Sequence, residues 1–202
     1  LTPEERVRGV IAASAGNHAQ GVALAAQKFG IQATIVMPKG APLAKIAATR
    51  EYGAQVELFG IAYDDAFAEA LRMQKETGAV FVHPFNDPYV IAGQGSVGLE
   101  IMDANPEIDT MVVPIGGGGL AAGVGAAVKL LHPHVRVIGV QAAGAACMAL
   151  SLSEGKVSTL SCARTIADGI AVRTPGELTF ELCGKYLDDV VTVEEDEIAG
   201  AI

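Results

Sequence analysis

The sequence predicts an α/β fold of two three-layer lobes, in which helices cover both faces of a mainly parallel sheet. Short runs of β-branched residues alternate with alanine-rich stretches whose apolar residues have helical spacing. Strands that recur about every 25 residues with helices between them are typical of βαβ units, which form parallel sheets.

Four strands are predicted in the first lobe, where the segments GVIAAS, QATIVM, AQVELF and AVFVH begin near residues 9, 32, 54 and 79. Three helical segments lie between them, and a glycine at or near the end of each is a frequent helix C-cap. Pro38 ends the second strand, and Pro42 suits the first turn of the following helix. We therefore assign residues 9–86 to a small α/β domain.

The turn-rich segment HPFNDP, from His83 to Pro88, interrupts this rhythm and is the predicted domain boundary. Beyond it, helices and strands alternate at a wider spacing, with strands at DTMVVPI, VRVIGVQ and DVVTV. Residues 87–202 therefore predict part of a larger α/β domain.

The two ends of the sequence predict helix starts. Thr2 and Glu5 form a capping-box pattern with Pro3 at the first helical position, and we assign residues 1–8 to a truncated upstream region. At the other end, EEDEIAGAI predicts an acidic helix start that stops after barely two turns. We expect a central piece of a longer protein, with lobes incomplete at both ends.

Composition excludes several classes of partner. The net charge is −9 and no block of lysine or arginine occurs, which disfavours nucleic acids and anionic membrane surfaces. The uncharged stretch from Met111 to Val128 contains a proline and six glycines, so it predicts a buried strand, turn and helix instead of a membrane span. Cys147, Cys162 and Cys183 fit neither a disulfide framework nor a zinc site, which favours the cytoplasm.

The segment SAGNH follows the first strand and precedes a helix. A helix N-terminus offers unpaired N–H groups and a partial positive charge, which favour a carboxylate or a phosphate. Ser14 is also a common helix cap, and Asn17 is a common turn residue. Taken alone, the pattern favours ordinary capping, with anion binding as the alternative.

A second glycine-rich turn, PIGGGGLAAG, gives a stronger signal. Four consecutive glycines allow several backbone N–H groups to converge on one anion, as in phosphate-binding loops. The nucleoside-triphosphate motif GxxxxGK[ST] is absent. Gly117, Gly119 and Ala122 fit the dinucleotide pattern, but Gln141 stands near the end of the next strand where an acid is required, which disfavours an NAD-dependent oxidoreductase.

The sequence resembles the pyridoxal-phosphate-dependent threonine dehydratases, also called threonine ammonia-lyases or threonine deaminases. The resemblance covers essentially the whole chain, in five segments that keep the family's order and spacing: ASAGNHAQGVALAA, IVMPKGAPLAKI, HPFNDPYVIAGQGSVGLEI, VVPIGGGGLAAG and IADGIAV…LDDVVTV. It implies the tryptophan-synthase-β-like fold of PLP enzymes, fold type II, with pyridoxal 5′-phosphate as cofactor.

Roles for individual residues follow from the resemblance. The cofactor phosphate would be wrapped by backbone N–H groups of the second loop, namely Gly116, Gly117, Gly118 and Gly119, with Leu120 following. Asn17 would hydrogen-bond the phenolic oxygen of the cofactor, and Gly169 would bring backbone near the ring. The substrate carboxylate would lie beside Ser14, Gly16, Asn17 and His18. The two loops would face each other across a cleft between the lobes.

Departures from related patterns narrow the expected reaction. Cysteine-forming relatives typically carry T-S-G-N-T, where this chain has His18 and Ala19. Serine racemases of the family usually have a second hydroxyl in the substrate loop at the position of Ala15, which cannot move a proton, so elimination is favoured. Many relatives bind a cation through a glutamate where this chain has Gln141, so we predict no metal site.

The catalytic lysine is not found in this sequence. In the family this lysine lies in a Ser-Phe-Lys-like motif, which we expect upstream of Leu1. All seven lysines of the chain are predicted on the solvated surface: Lys28, Lys39, Lys45, Lys75, Lys129, Lys156 and Lys185. The chain by itself should therefore be inactive.

The expected activity of the whole enzyme is the conversion of L-threonine, and less selectively L-serine, to the 2-oxo acid and ammonia. For L-threonine the product is 2-oxobutanoate, in isoleucine biosynthesis or threonine catabolism. The resemblance also implies a homodimer or homotetramer. The alternatives are a degradative serine/threonine dehydratase, a serine racemase, or a non-catalytic module that binds PLP or phosphate.

Overall fold

Parallel strands organise both parts of the computed structural model, which describes all 202 residues. The chain divides into two units, Leu1–Pro84 and Phe85–Ile202. The division falls within the predicted boundary segment, two residues before the predicted end of the first domain. Helix α1 belongs to unit 1, although we assigned residues 1–8 to an upstream region. Arg8 Nε donates a hydrogen bond to Gly78 O at 2.8 Å, which attaches α1 to this unit.

Unit 1 contains a four-stranded parallel sheet with the strand order β3-β2-β1-β4. Its elements are α1 Pro3–Arg8, β1 Val10–Ala13, α2 Asn17–Phe29, β2 Ala33–Met37, α3 Leu43–Glu51, β3 Gln55–Leu58, α4 Tyr63–Thr77 and β4 Val80–Phe81. The expected four strands and three intervening helices are all present. The fourth strand is only two residues long.

The inner strand β1 explains the three layers of unit 1. All four of its residues are buried, and successive side chains point to opposite faces of the sheet. Val10 and Ala12 pack with residues of α2 and α3, whereas Ile11 and Ala13 pack with Ala66 and other residues of α4. Helices therefore cover both faces of this sheet, as predicted.

Unit 2 contains a three-stranded parallel sheet with the order β5-β6-β7. Its elements are α5 Pro88–Ala104, β5 Thr110–Pro114, α6 Gly119–Leu131, β6 Arg136–Ala142, α7 Cys147–Glu154, α8 Glu177–Tyr186, β7 Asp189–Val193 and α9 Glu195–Ala201. Two short 3₁₀ turns, Ala143–Ala145 and Asp168–Ile170, complete it. No helix of the chain has both the length and the apolar character needed to span a membrane.

The core of unit 2 lies on one face of its sheet. Met111, Val113 and Ile115 of β5 and the following turn pack against α6. Residues between them point the other way, and Val112 exposes 65% of its surface. This alternation is typical of a strand covered on one side only.

Glycines allow helices α5 and α6 to approach each other closely. A Cβ atom on Gly123 of α6 would lie 2.3 Å from Ile91 O, and a Cβ on Gly95 of α5 would lie 3.0 Å from Gly123 O. Any side chain at these positions would therefore force the helices apart. By fixing the start of α6, this contact also holds the turn that precedes it.

The exposed side of α5 offers a stabilising substitution. A Cβ on Gly93 would meet no atom within 4 Å, so Gly93→Ala should raise the free energy of unfolding by about 0.8 kcal/mol through helix propensity alone. Gly95→Ala is the matched variant in the same helix, and its added methyl contacts Gly123 O, so it should give no gain. Urea denaturation of both variants tests this difference, and equal gains would contradict the close helix contact.

Candidate functional site

The glycine-rich turn between β5 and α6 is the candidate binding site of unit 2. Helix α6 begins at Gly119, and its N-cap residue Gly118 has a φ of 100°, a conformation that side chains disfavour. Gly117, Gly118 and Gly119 are buried, and Gly116 is half-buried. No protein acceptor binds the N–H groups of Gly116 to Ala121. Buried N–H groups without a protein partner require another acceptor, and an anion at the helix N-terminus meets this need.

A side chain at Gly117, Gly118 or Gly119 would overlap neighbouring atoms. A Cβ on Gly117 would lie 2.4 Å from the ring of Phe85, and a Cβ on Gly119 would lie 2.9 Å from Phe85 Cα. A Cβ on Gly118 would meet Met148 Cε at 2.6 Å and Thr179 Cβ at 2.8 Å. Other residues of unit 2 therefore occupy the space that side chains of the turn would need, and only glycine fits at these positions.

Helices α5 and α8 of the same unit differ from α6 at their starts, because side chains accept hydrogen bonds from their first-turn N–H groups. Asp87 Oδ1 accepts hydrogen bonds from Tyr89 N and Val90 N at the start of α5. Asn86 Oδ1 accepts from Leu178 N at the start of α8. Helix α6 has no such side-chain cap. Its first-turn N–H groups and the positive end of its dipole are thus free for a ligand.

Gln141, at the end of β6, is fully buried and connects the turn to α7. Its Nε2 donates to Ile115 O at 3.2 Å and to Ala145 O at 3.3 Å, while its Oε1 accepts from Ala149 N at 2.9 Å. All of these contacts are with the protein itself. No group of three His, Cys, Asp or Glu side chains that could hold a metal ion occurs in the chain.

Two buried thiols also lie beside the turn. Burial raises the pKa of Cys183 to about 12 and raises that of Cys147. Both groups therefore keep their protons at neutral pH and are not nucleophiles. Their contacts with the turn are to carbonyl oxygens, which protonated thiols can approach as weak hydrogen-bond donors.

Leu120 and Gly169 lie in different surroundings. Leu120, the second residue of α6, is half-buried and packs against the core of unit 2. Gly169 is exposed, and a Cβ built on it would meet no atom within 4 Å. The segment that contains Gly169 reaches the glycine turn through the next residue, since Ile170 Cα is 3.1 Å from a Cβ on Gly116. Sequence reasoning missed Ile170.

The SAGNH turn of unit 1 leads from β1 to α2. Ser14 N donates to Val36 O at 3.2 Å, which continues the β1–β2 pairing. Ser14 Oγ accepts from Gly16 N at 3.2 Å, so the hydroxyl closes a local turn. The N-cap of α2 is Gly16, and no side chain caps the helix. The capping role considered for Ser14 is therefore wrong, and α2 also begins with an open N-terminus.

The other residues of this turn differ in exposure. Asn17, the first residue of α2, is exposed. Ala15 is half-buried and packs against the core formed by β1 and α2. His18 Nε2 is 3.0 Å from Val82 O, and because a carbonyl only accepts, this nitrogen carries the proton. The imidazole thus ties the start of α2 to the residue after β4.

Lys129 departs from the expectation that every lysine is solvated. Its Nζ lies 2.8 Å from a carboxylate oxygen of Asp188 and donates to Val135 O at 3.0 Å. Asp188 also accepts from Val137 N at 2.7 Å. The bonds from Lys129 and Val137 lower the pKa of Asp188 below its usual value. This pair joins α6 to β6 and the start of β7, and it is structural.

Comparison with known proteins gives consistent similarities. All 202 residues match the sequence family described as pyridoxal-phosphate dependent enzyme. The chain is 61% identical over its full length to an L-threonine ammonia-lyase of Thermotoga maritima, and it covers 50% of that protein. The chain spans about half the length of the curated relatives that it matches.

Solved structures show the same fold. The processed form of threonine deaminase isoform 2 from Solanum lycopersicum superimposes with a TM-score of 0.95 at 47% identity, over all of this chain and 59% of that one. Maize serine racemase gives a TM-score of 0.94 at 41% identity, over all of this chain and 61% of that one. The α/β fold with parallel sheets is therefore the fold of these enzymes.

Proposed function

Because the chain belongs to the family of pyridoxal-phosphate dependent enzymes, we propose that it is part of an enzyme that converts L-threonine to 2-oxobutanoate and ammonia. The observation that carries this proposal is the 61% identity to an L-threonine ammonia-lyase along all 202 residues. The uncapped glycine turn at α6 supports it, because that turn offers backbone N–H groups to a phosphate.

The glycine turn would hold the phosphate of the cofactor. The N–H groups of Gly116, Gly117, Gly118 and Gly119 are the donors, with those of Leu120 and Ala121 in the first turn of α6. They have no protein acceptor, and three of the four glycines are buried. The positive end of the α6 dipole adds to the attraction for a dianionic group. A phosphate thus satisfies groups that the protein leaves without a partner.

Substrate binding is proposed at the start of α2. The carboxylate of the amino acid would lie beside Ser14, Gly16, Asn17 and His18, at the N-terminus of α2, which no side chain caps. The hydrogen bond from His18 to Val82 O keeps this turn in place. Asn17 is exposed and would reach the ring oxygen of the cofactor. Gly169 is proposed as a backbone neighbour of the ring.

The cofactor and the residues of this chain would have different roles in the reaction. Pyridoxal phosphate, when bound, supplies an electron sink that stabilises the charge left when the proton on the substrate Cα is removed. The chain's own groups bind and orient: one open helix end takes a phosphate and the other takes a carboxylate. We propose that none of the seven lysines is the catalytic one. Lys129, which is bound to Asp188, serves the structure.

A serine racemase is the second candidate, because maize serine racemase is similar over the whole chain. Ala15 argues against it. This side chain has no group that could return a proton to the substrate, and it packs against the apolar core of unit 1. Formation of D-serine from L-serine by the whole enzyme would favour the racemase.

Further proposals concern partners and location. We propose a homodimer or homotetramer that acts on a small amino acid and binds neither nucleic acid nor membrane, in keeping with the net charge of −9. All three cysteines are free thiols, and two of them are buried. Free thiols are typical of a reducing compartment, which supports the cytoplasm.

A chimeric enzyme tests the proposed activity. This chain would replace the matching half of the Thermotoga maritima L-threonine ammonia-lyase, and release of 2-oxobutanoate from L-threonine would be measured with pyridoxal phosphate present. We expect an active chimera, whereas the 202-residue chain alone should release none. A chimera that folds but is inactive on L-threonine would contradict the proposal, and activity of the chain alone would show that one of its lysines is catalytic.

A further inference from the structure

Four successive carbonyl groups of the glycine turn each accept a hydrogen bond from a buried side chain. The donors come from β6, α7 and α8, and each is at most 1% exposed. The bonds run from Gln141 Nε2 to Ile115 O (3.2 Å), from Cys147 Sγ to Gly116 O (3.7 Å), from Thr179 Oγ1 to Gly117 O (2.6 Å) and from Cys183 Sγ to Gly118 O (3.9 Å).

The planarity of the peptide bond gives this pattern a consequence for ligand binding. In a trans peptide, the C=O of one residue and the N–H of the next point in opposite directions. Carbonyls 115 to 118 point toward the buried donors, so the N–H groups of Gly116 to Gly119 point away from them. None of these four N–H groups has a protein acceptor. Donors to the carbonyls therefore set the direction of the phosphate-binding groups.

Thr179 makes the strongest of the four contacts. Its hydroxyl lies 2.6 Å from Gly117 O, whereas the two thiols are weak donors at 3.7 and 3.9 Å. The other donor to Gly117 O is Gly176 N, at a longer 3.4 Å. The Gly117–Gly118 peptide joins two residues without Cβ atoms, so without this bond it can rotate more easily than most peptides.

We propose that Thr179 is a positioning residue for phosphate binding: through Gly117 O, it directs the N–H of Gly118 toward the phosphate. The inference rests on the proposed function, since it takes the glycine turn as the phosphate site. Thr179 is on α8, 62 residues from Gly117 along the chain, and its hydroxyl is closer to Gly117 O (2.6 Å) than to Gly176 O (3.1 Å), the other acceptor within reach.

Binding of two vitamin B6 compounds separates positioning from stability. Pyridoxine 5′-phosphate and pyridoxine differ only in the phosphate, and neither has the aldehyde that would react with surface lysines. The dissociation constant of pyridoxine divided by that of pyridoxine 5′-phosphate, both measured by calorimetry on the chain, reports how much the phosphate adds to binding. Thr179→Val keeps the shape of the side chain but removes the hydroxyl, and it should reduce this ratio about fivefold to tenfold.

Two further variants complete the experiment. Thr49→Val is the matched control, because Thr49 is also fully buried and its hydroxyl donates to Lys45 O at 2.8 Å within α3. It should lower stability without changing the ratio. Thr179→Ser keeps the hydroxyl and loses a methyl group, so it should be less stable than the wild type yet retain the ratio.

Each outcome bears on a different proposal. A wild-type chain that binds both compounds equally would overturn the phosphate site and the role of Thr179 with it. A wild-type preference for the phosphate that persists in Thr179→Val would overturn the positioning role alone. If Thr179→Val does not fold, Thr179→Ser decides: a retained ratio supports the role of the hydroxyl, and a lost ratio overturns it.

Discussion

Gly118→Ala is expected to lower the free energy of unfolding by about 3 kcal/mol and to abolish the preference for a phosphorylated ligand. Gly118 has a φ of 100°, a backbone conformation that costs a residue with a Cβ about 1–2 kcal/mol. The added methyl would also meet Met148 Cε at 2.6 Å and Thr179 Cβ at 2.8 Å. Because Thr179 holds the neighbouring peptide, relief of this clash would also misdirect the N–H groups of the turn.

A second glycine separates the two causes. Gly155 follows α7 and has a φ of 68°, but a Cβ there would meet no atom within 4 Å. Gly155→Ala should therefore cost only about 1 kcal/mol and leave ligand binding unchanged. Urea denaturation and titration with pyridoxine 5′-phosphate measure both effects. Equal losses of stability in the two variants would show that packing against Thr179 and Met148 does not limit position 118.

Periodic patterns were sufficient to predict the main elements of the fold. Strand β7 occupies the residues expected, Asp189–Val193, and helix α2 begins at Asn17 as expected. The capping box of Thr2 and Glu5 is confirmed by hydrogen bonds of 2.7 and 3.2 Å. These features depend on residues close together in the sequence, so the sequence alone can reveal them.

Long-range contacts were not predictable in the same way. The four glycines identify a turn that needs no side chains. The residues that donate hydrogen bonds to its carbonyl oxygens, Thr179 and Cys183, follow more than 60 residues later. No local pattern marks them, because a buried threonine in a helix is unremarkable until its partner is known. The same reason explains why Ile170 was missed and why Gly95 and Gly123 did not indicate a close helix contact.

The sequence analysis singled out Gln141 but did not predict the hydrogen bonds that its side chain makes. We considered Gln141 only because an acidic residue is missing there, which disfavoured a dinucleotide site and a metal site. In the structure its amide joins three backbone groups, Ile115 O, Ala145 O and Ala149 N, and it is completely buried. Both the donor and the acceptor ends of the amide are therefore needed, which makes the position sensitive to a change of a single atom.

Gln141→Glu is accordingly expected to lower the free energy of unfolding by about 4 kcal/mol at pH 8, the range found for an uncompensated buried charge. One carboxylate oxygen can still accept from Ala149 N, but the other replaces a donor and faces the oxygens of Ile115 and Ala145. Burial and these carbonyls disfavour the charged form, so the pKa of the new carboxyl is higher in the folded state than in the unfolded state.

The pH dependence of this loss identifies its origin. Since the folded variant binds its proton more tightly than the unfolded one, its stability relative to wild type falls as the pH rises above about 4.3, the unfolded value for glutamate. Gln141→Met, which removes both polar ends, should lose stability by an amount independent of pH. Urea denaturation at about pH 5 and pH 8 distinguishes the two. If Gln141→Glu were equally destabilised at both, its charge would not be the cause, and loss of the donor to Ile115 O would explain the whole effect.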